Sequence, residues 1–278
     1  MRDTVKQPLQ MLERSALVVA HPDDEILWFS SVVKNVDHIF FCFLEIENDP
    51  ARSDGRRQAL RDFPLKQISI LGIKEAGVFD LADWKRPKPA VAGLELRRAH
   101  DGRRRDAVYG QNYEELRERL RQGLTGYRNV ITHNPWGEYG HEEHVQVYRA
   151  VKDVQSQLGF DVWVSNYCSN RSFRLMESYI RGFRSDYVTV PVDKEFAAEV
   201  RDLYRKYGGW TWYDDFQWFN EESFILDNDM EYSATGRGHM FPLNIIRMEM
   251  ADETQTQPGR RLRLLRFLAR LLRLPEPV

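Results

Sequence analysis

Two short segments of the chain concentrate the residue types that bind metal ions in proteins. The first is His21-Pro22-Asp23-Asp24-Glu25, and the second extends from His133 to His144. Their candidate ligands are His21, Asp24, His141 and His144. A catalytic zinc ion usually takes three ligands from His and carboxylate side chains and keeps a fourth position for water or substrate. The two segments therefore predict a metal site in which two His and one carboxylate bind the ion.

Neighbouring residues in these segments can divide the remaining roles. Asp23 and Asp24 are adjacent, so their side chains diverge, and one can bind the metal while the other accepts a proton from water. His141 and His144 lie three residues apart at a predicted helix start, where they share a face. They can likewise divide into a ligand and a second functional group. The residue types thus indicate metal-assisted hydrolysis.

Both segments begin where a predicted β-strand ends. Short apolar runs predict strands at residues 15–20, 38–46, 67–73, 129–134 and 160–167. Polar and amphipathic stretches between them predict helices, among them 51–66, 112–124 and 141–158. This βαβαβ order implies parallel strands whose carboxyl ends share one sheet edge, where open α/β sheets bind ligands. We expect an α/β fold: a Rossmann-like, mostly parallel sheet flanked by helices, with a C-terminal elaboration.

The rest of the chain predicts one domain and a separate tail. Residues 83–111 lose periodicity and predict a long exposed insertion, after which Asn112 is a plausible N-cap of the helix 112–124. We expect a single domain over residues 1–258, with 168–258 on the substrate side. Residues 259–278 predict a basic amphipathic helix.

Composition excludes several classes of protein. The formal net charge is −2 over 278 residues, which argues against a generally cationic nucleic-acid binder. Cys42 and Cys168 are the two cysteines, too few for a disulfide framework or a Cys-rich metal site. No run of 18 apolar residues and no signal-peptide pattern occurs in the sequence. We therefore expect a reducing, cytoplasmic location and no nucleic-acid partner.

The two metal-binding segments resemble those of a known family. Ala20-His21-Pro22-Asp23-Asp24-Glu25, paired with Gly140-His141-Glu142-Glu143-His144, is similar to the motifs of PIG-L/LmbE-type zinc-dependent de-N-acetylases. The resemblance covers about residues 15–167. It implies one Zn²⁺ per chain, and the ligands that it implies are His21, Asp24 and His144. It also implies that Asp23 is the general base, that a charged His141 stabilises the oxyanion or protonates the leaving amine, and that Tyr139 helps to polarise the amide carbonyl.

Substrate contacts are predicted from two further segments. The family's Arg-x-x-Glu element is blurred in this chain, so Arg56 or Arg57 is carried over as a substrate contact. Residues 207–219 combine aromatic and acidic side chains that can stack on sugar rings and accept hydrogen bonds from their hydroxyls. The contacts expected there are Trp210, Trp212, Asp214 and Asp215. Alternatively, these aromatic residues close the core beneath a C-terminal helix.

The resemblance predicts zinc-dependent hydrolysis of an N-acetylated amino sugar within a lipid-, nucleotide- or thiol-linked conjugate. The products would be acetate and a free amine. Two alternatives are a non-catalytic glycan-binding protein on the same fold and a metal-dependent phosphoesterase. Asp23 argues against the first, because a binding protein needs no base beside the ligands. The second usually requires two metal ions and more acidic ligands.

The C-terminal tail carries a regular pattern of its own. On a helical wheel, the arginines of residues 259–278 fall on one side and the leucines on the other. One interpretation is an interfacial helix that makes peripheral contact with an anionic membrane surface. The other is a terminal helix that docks its leucines on the domain or on a second subunit.

Overall fold

The computed structural model describes residues 10–97, 102–180, 187–227 and 242–248. The chain divides into two compact units, residues 1–246 and residues 247–278. Of the second unit only residues 247 and 248 are described, so the predicted helix 259–278 lies outside the described residues. The predicted division of the chain at residue 258 stays a prediction.

The strands and helices are numbered in chain order. The strands are β1 (Ser15–Val19), β2 (His38–Glu45), β3 (Ile68–Lys74), β4 (Pro89–Ala90), β5 (Gly93–Leu94), β6 (Asn129–Thr132), β7 (Asp161–Ser165), β8 (Tyr167–Ser169), β9 (Tyr187–Pro191), β10 (Glu221–Leu226) and β11 (Asn244–Ile246). The helices are α1 (Asp24–Leu27), α2 (Pro50–Arg61), α3 (Gly102–Gly123), α4 (Glu142–Leu158), α5 (Phe173–Tyr179) and α6 (Lys194–Tyr207).

A seven-stranded sheet in the order β3-β2-β1-β6-β7-β10-β9 forms the centre of the fold. The first five strands of that order are parallel, and β10 and β9 add an antiparallel edge. All five residues of β1 are buried, as expected for a strand in the middle of a parallel sheet. The structure thus confirms the predicted α/β fold with a mostly parallel sheet.

The winding of the sheet reverses direction at β1. From β1 the chain moves outward through β2 to β3, and it later returns to the other side of β1 with β6 and β7. In the register, Leu17 pairs with Ile39 on one side and with Ile131 on the other. The crevice at the carboxyl ends of two strands that diverge in this way is the usual ligand site of an open α/β sheet. Both metal-binding segments leave the sheet at this point.

The helix α3 begins earlier than the sequence predicts. It starts at Gly102, so Asn112 is not its N-cap but a buried residue inside it, whose Nδ2 donates to the carbonyl oxygen of Lys74. The prediction of an exposed insertion over 83–111 is correct only in part for its described residues: Val91 and Glu95 are exposed, whereas Trp84, Leu94 and Tyr109 are buried. The segment instead packs as the β4–β5 hairpin and the first turns of α3.

Candidate metal centre and active site

The turn after β1 brings His21 and Asp24 together. The backbone N–H of His21 donates to Asp24 Oδ2 at 2.7 Å, and the ring Nδ1 of His21 lies 3.3 Å from the same oxygen. The other oxygen, Asp24 Oδ1, accepts a hydrogen bond from the indole Nε1 of Trp28 at 2.9 Å. Asp23, between them, has a φ of 108°, and its Oδ2 accepts hydrogen bonds from Thr211 and not from the partners of Asp24. The turn therefore separates the two carboxylates, as their adjacency predicts.

The loop between β6 and α4 supplies the second half of the centre. Gly137 and Gly140 both have positive φ angles, and a Cβ on Gly137 would lie 2.5 Å from the carbonyl oxygen of His141. These glycines permit a turn in which Gly137 accepts backbone hydrogen bonds from Gly140 and His141. The turn places Glu138 beneath the histidines and starts α4 so that His144 faces Asp24.

His21, Asp24 and His144 form a cluster whose donor atoms suit a metal ion. One ring nitrogen or carboxylate oxygen from each lies within 4.8 Å of the others. His144 Nε2 lies 3.3 Å from Asp24 Oδ1, and this buried nitrogen has no hydrogen-bond partner. Buried polar atoms without a partner are rare, and a ligand is one explanation for them. Two imidazole nitrogens and a carboxylate fit a catalytic zinc site, so these residues would hold Zn²⁺.

Each of the two histidines of this cluster has a carboxylate on its other ring nitrogen. His144 Nδ1 donates to Glu138 Oε2 at 2.7 Å, and His21 Nε2 lies 3.0 Å from Glu143 Oε2. Such partners fix the tautomer and the ring orientation of metal-binding histidines. With one ring proton on the side of the carboxylate, a cation that displaces the other proton would find lone pairs of His144 Nε2 and His21 Nδ1 beside Asp24.

The electrostatic environment of the cluster favours positive charge. Although burial opposes protonation, Glu75, Asp24 and Glu143 raise the pKa of His21 to about 10. Against the same effect of burial, Asp24 and Glu138 raise the pKa of His144 to about 9. His144, His21 and His133 in turn hold the pKa of Asp24 well below its usual value, although burial opposes this too. A pocket that stabilises protons on two buried histidines also stabilises a divalent cation at that position.

Asp23 lies beside this cluster and outside the ligand set. Its side chain is buried, and Oδ2 accepts hydrogen bonds from the backbone N–H and the hydroxyl of Thr211. Burial, and then the negative charge of Asp24, raise the pKa of Asp23 to about 7, against the opposing charge of Arg56. A carboxylate with a pKa near neutrality can both accept and release a proton at physiological pH.

His141 and Tyr139 complete the wall of the pocket. Nδ1 of His141 accepts the backbone N–H of Glu143 at 3.1 Å, which leaves the ring proton on Nε2. Burial, followed by the charges of His144 and His21, holds the pKa of His141 well below its usual value. This environment favours a neutral imidazole that donates a hydrogen bond rather than the charged group expected from the resemblance. Burial, then Asp24 and Asp23, likewise raise the pKa of Tyr139 and keep its hydroxyl protonated.

The predicted substrate contacts separate into two groups. The first lies at the pocket, where Trp212 packs against Tyr139 with ring centroids 4.6 Å apart. The buried Arg56 pairs with Glu75, and its positive charge opposes the rise in the pKa of Asp23. Trp210 packs near Arg205, with the guanidinium 5.9 Å from the centre of its ring. As substrate contacts, these residues stay predictions.

The second group points away from the cluster. Arg57 is half-exposed and pairs with Glu45 and Asp54. Asp214 is 93% exposed and pairs with Arg205, and Asp215 is exposed. The structure therefore does not bring Arg57, Asp214 or Asp215 to the candidate metal centre.

Four further residues of the site were not predicted from the sequence. Glu138 contacts the ring of His144, and Glu143 contacts the ring of His21. Thr211 contacts Asp23, and His133 accepts the backbone N–H of Ala20 at 2.8 Å. Metal-binding histidines usually donate to a carboxylate, so the acidic residues beside His144 were a usable signal for Glu138 and Glu143. No signal in the sequence indicates Thr211, which lies 188 residues from Asp23.

Comparison with known families agrees with this geometry. Residues 16–155 match the family model described as PIG-L: GlcNAc-PI de-N-acetylase. The chain belongs to this family. Membership in the PIG-L family makes it a hydrolase of the deacetylase type, and the match contains both metal-binding segments. A search of curated proteins finds no match for the chain.

The solved structures that are similar to this chain include three deacetylases. The zinc-inhibited form of teicoplanin deacetylase is 12% identical, with a TM-score of 0.47, and the similarity covers 77% of this chain and 99% of that one. A deacetylase–teicoplanin complex is 11% identical, with a TM-score of 0.46 over 76% and 97% of the two chains. The deacetylase of the A40926 pseudoaglycone is 12% identical, with a TM-score of 0.44 over 77% and 97%.

Among the described residues, no helix combines the length and the apolar character that are needed to cross a bilayer.

Proposed function

We propose that this PIG-L family member is a zinc-dependent amide hydrolase. It removes the acetyl group from an N-acetylated amino sugar within a larger conjugate and releases acetate and the free amine. The observation that carries the proposal is His144 Nε2, a buried nitrogen without a hydrogen-bond partner that faces Asp24. A de-N-acetylase family match over the same residues supports it.

The chain's own residues have distinct roles in this proposal. His21, Asp24 and His144 would hold Zn²⁺, which supplies a Lewis acid for the amide carbonyl and lowers the pKa of water. Asp23 accepts the proton of the attacking water and later returns it toward the leaving amine. His141 Nε2–H and the protonated Tyr139 hydroxyl donate to the carbonyl oxygen as negative charge develops there. Donors that are already oriented toward that oxygen stabilise the transition state more than the ground state.

The proposed substrate is a sugar conjugate with an apolar contact face. Trp212, Tyr139 and Trp28 pack against one another beside the metal cluster, with Trp212 only partly buried. Aromatic faces of this kind stack on the apolar face of a sugar ring. We propose an N-acetylhexosamine that is joined to a lipid, a nucleotide or a thiol-bearing group.

The test is a metal analysis combined with a product assay on purified protein. N-acetylhexosamine conjugates of the three classes are incubated with wild-type protein, Asp23→Asn and His144→Ala, and acetate and free amine are quantified. We expect one zinc per chain and equal amounts of the two products from the wild type. His144→Ala should lose both metal and turnover, whereas Asp23→Asn should lose turnover alone.

The same incubations decide between the alternatives when phosphate release and sugar binding are measured as well. Two metal ions per chain with release of phosphate would identify a phosphoesterase, and sugar binding without any product would identify a glycan-binding protein. Either result would refute the proposed amide hydrolysis.

A further inference from the structure

The segment of residues 209–218, here called the aromatic segment, is tied at its start to α6 and at its end to α1, the helix that follows Asp23. At its start, the backbone N–H of Gly209 donates to the carbonyl oxygen of Tyr204 at 2.8 Å. At its end, Trp218 Nε1 donates to the carbonyl oxygen of Ile26 at 2.6 Å. Between them, Trp212 packs edge-on against Trp28 with ring centroids 5.2 Å apart. The aromatic segment therefore has a defined position over α1.

Thr211, in the middle of this segment, makes two hydrogen bonds to one carboxylate oxygen. Its backbone N–H lies 3.1 Å from Asp23 Oδ2, and its hydroxyl lies 2.6 Å from the same atom. Among the described residues, no group donates to Asp23 Oδ1. Two donors on one oxygen fix the plane of the carboxylate and leave the other oxygen available for a proton from water.

The backbone of Asp23 needs such external support. Its φ of 108° lies in the left-handed region, which is unfavourable for a residue with a side chain. Strained conformations of this kind persist where surrounding contacts determine them, and they cluster at functional sites. The backbone N–H of Asp23 donates to Glu25 Oε2, and Glu25 Oε1 accepts the hydroxyl of the buried Tyr204 at 2.8 Å.

These contacts come from a part of the chain that the family match does not include. The match ends at residue 155, whereas Tyr204 and Thr211 lie at the end of α6 and in the aromatic segment. Tyr204 supports the backbone of Asp23 through Glu25, and Thr211 holds its carboxylate. The C-terminal elaboration thus reaches Asp23 from two sides.

We propose that Thr211 is a positioning residue for the general base Asp23. It holds Oδ2 so that Oδ1 faces the attacking water, and it delivers this contact from the aromatic segment. The inference rests on the proposed function, in which Asp23 accepts the proton of water. It assigns the aromatic segment a role in orienting the base, in addition to the sugar contact expected from its tryptophans.

The kinetic test removes the hydroxyl without changing the shape of the side chain. Thr211→Val keeps the β-branch and the backbone N–H, and Thr211→Ser restores a hydroxyl donor. We expect Thr211→Val to lower kcat about tenfold or more, because small misplacements of a reacting group cost this much, with KM and zinc content unchanged. Thr211→Ser should recover most of kcat. Thr125→Val is the matched control, since the Thr125 hydroxyl only donates to the carbonyl oxygen of Arg121 in an exposed turn.

A second measurement does not depend on turnover. Hydrogen exchange of the Thr211 amide, followed by mass spectrometry of a peptide covering the aromatic segment, is compared between wild type and Asp23→Ala. We expect faster exchange in Asp23→Ala, with protection of the α6 peptides unchanged. Equal exchange in the two proteins would overturn the contact itself.

The outcomes separate this inference from the proposed function. If Asp23→Asn abolishes turnover while Thr211→Val retains the wild-type kcat, the amide hydrolase stands and the role of Thr211 is refuted. A drop in kcat that Thr211→Ser does not rescue would also refute it, because the hydroxyl would then not be the cause. If wild-type protein hydrolyses none of the conjugates, the proposed function fails and the role of Thr211 toward a general base fails with it.

Discussion

Glu138 connects the metal site to the sheet, and its replacement by Gln should disturb both. Its Oε2 accepts from the ring Nδ1 of His133 at 2.9 Å and of His144 at 2.7 Å. Its Oε1 accepts from the backbone N–H of Asn134 at 2.9 Å and from the Ser165 hydroxyl at 2.6 Å. Although burial opposes ionisation, His133 and His144 hold the pKa of Glu138 at about 2, so it is a carboxylate with four donors.

Gln at position 138 can satisfy only one side of this arrangement. The backbone N–H of Asn134 cannot become an acceptor, so the amide oxygen should take that side and the NH₂ group should face the two histidines. Each Nδ1 must then accept a hydrogen bond, which moves the ring proton to Nε2. In His144 this protonates the nitrogen that we propose as a ligand. In His133 it sets Nε2–H against the backbone N–H of Ala20.

The structure gives a magnitude for each effect. The hydrogen bonds from His133 and His144 to the charged Glu138 are lost, and each contributes about 1.5 kcal/mol or more. We therefore expect the free energy of unfolding to fall by about 3 kcal/mol. Loss of the carboxylate partner of a ligand histidine typically weakens metal binding about 10- to 100-fold. A typical domain has a stability of about 5–15 kcal/mol, so Glu138→Gln should still fold.

The assay is a zinc competition titration against a chromophoric chelator, together with denaturant unfolding. Glu222→Gln is the matched control, because Glu222 is also a buried carboxylate with four donors, from Ser30, Ser31 and Tyr167. We expect both variants to lose stability and only Glu138→Gln to lose zinc affinity. Equal zinc affinity in the two variants would refute the assignment of Glu138 as the group that sets the tautomer of His144.

Three further predictions concern the base, its pH dependence and the tail. Asp23→Asn should retain zinc and lower kcat about 10²- to 10⁴-fold, as expected for loss of a general base. Asp24→Asn should lose zinc. If metal analysis showed the reverse pattern, the roles of Asp23 and Asp24 would be exchanged. Because Asp23 must be deprotonated to accept a proton and burial raises its pKa to about 7, kcat/KM should fall as the pH drops below that value. A cation bound at Asp24 lowers the pKa of Asp23, so the midpoint of this fall in kcat/KM should lie between the usual 3.8 and about 7. A kcat/KM that rises toward acid pH would contradict the role of Asp23 as a base. Deletion of residues 259–278 should abolish co-sedimentation with anionic liposomes at low salt without loss of zinc, since each basic residue contributes about 1 kcal/mol at such a surface; equal sedimentation of both proteins would favour a docked helix instead.

Local sequence patterns were sufficient to predict the five parallel strands of the central sheet, but not its antiparallel edge of β10 and β9. The runs at 15–20 and 129–134 correspond to β1 and β6, whose residues are all buried although Ser15, Asn129 and Thr132 are polar. The alternation of predicted strands and helices then placed both metal-binding segments at one edge of the sheet, where the parallel strands have their carboxyl ends. The start of α3 was missed because its first turns are rich in Arg and lack an apolar stripe, so only packing against the rest of the domain shows that they are helical.

The sequence by itself determined the α/β class and the residues that can bind a metal, since ligand chemistry depends on residue type and on short spacing. Only the tertiary structure decided which groups orient them. Glu138 reaches His144 because two glycines with positive φ turn the loop beneath α4, and Thr211 reaches Asp23 across 188 residues of chain. Such contacts depend on how separate helices, strands and loops pack together. No periodic pattern in the sequence marks the residues that this packing brings into contact.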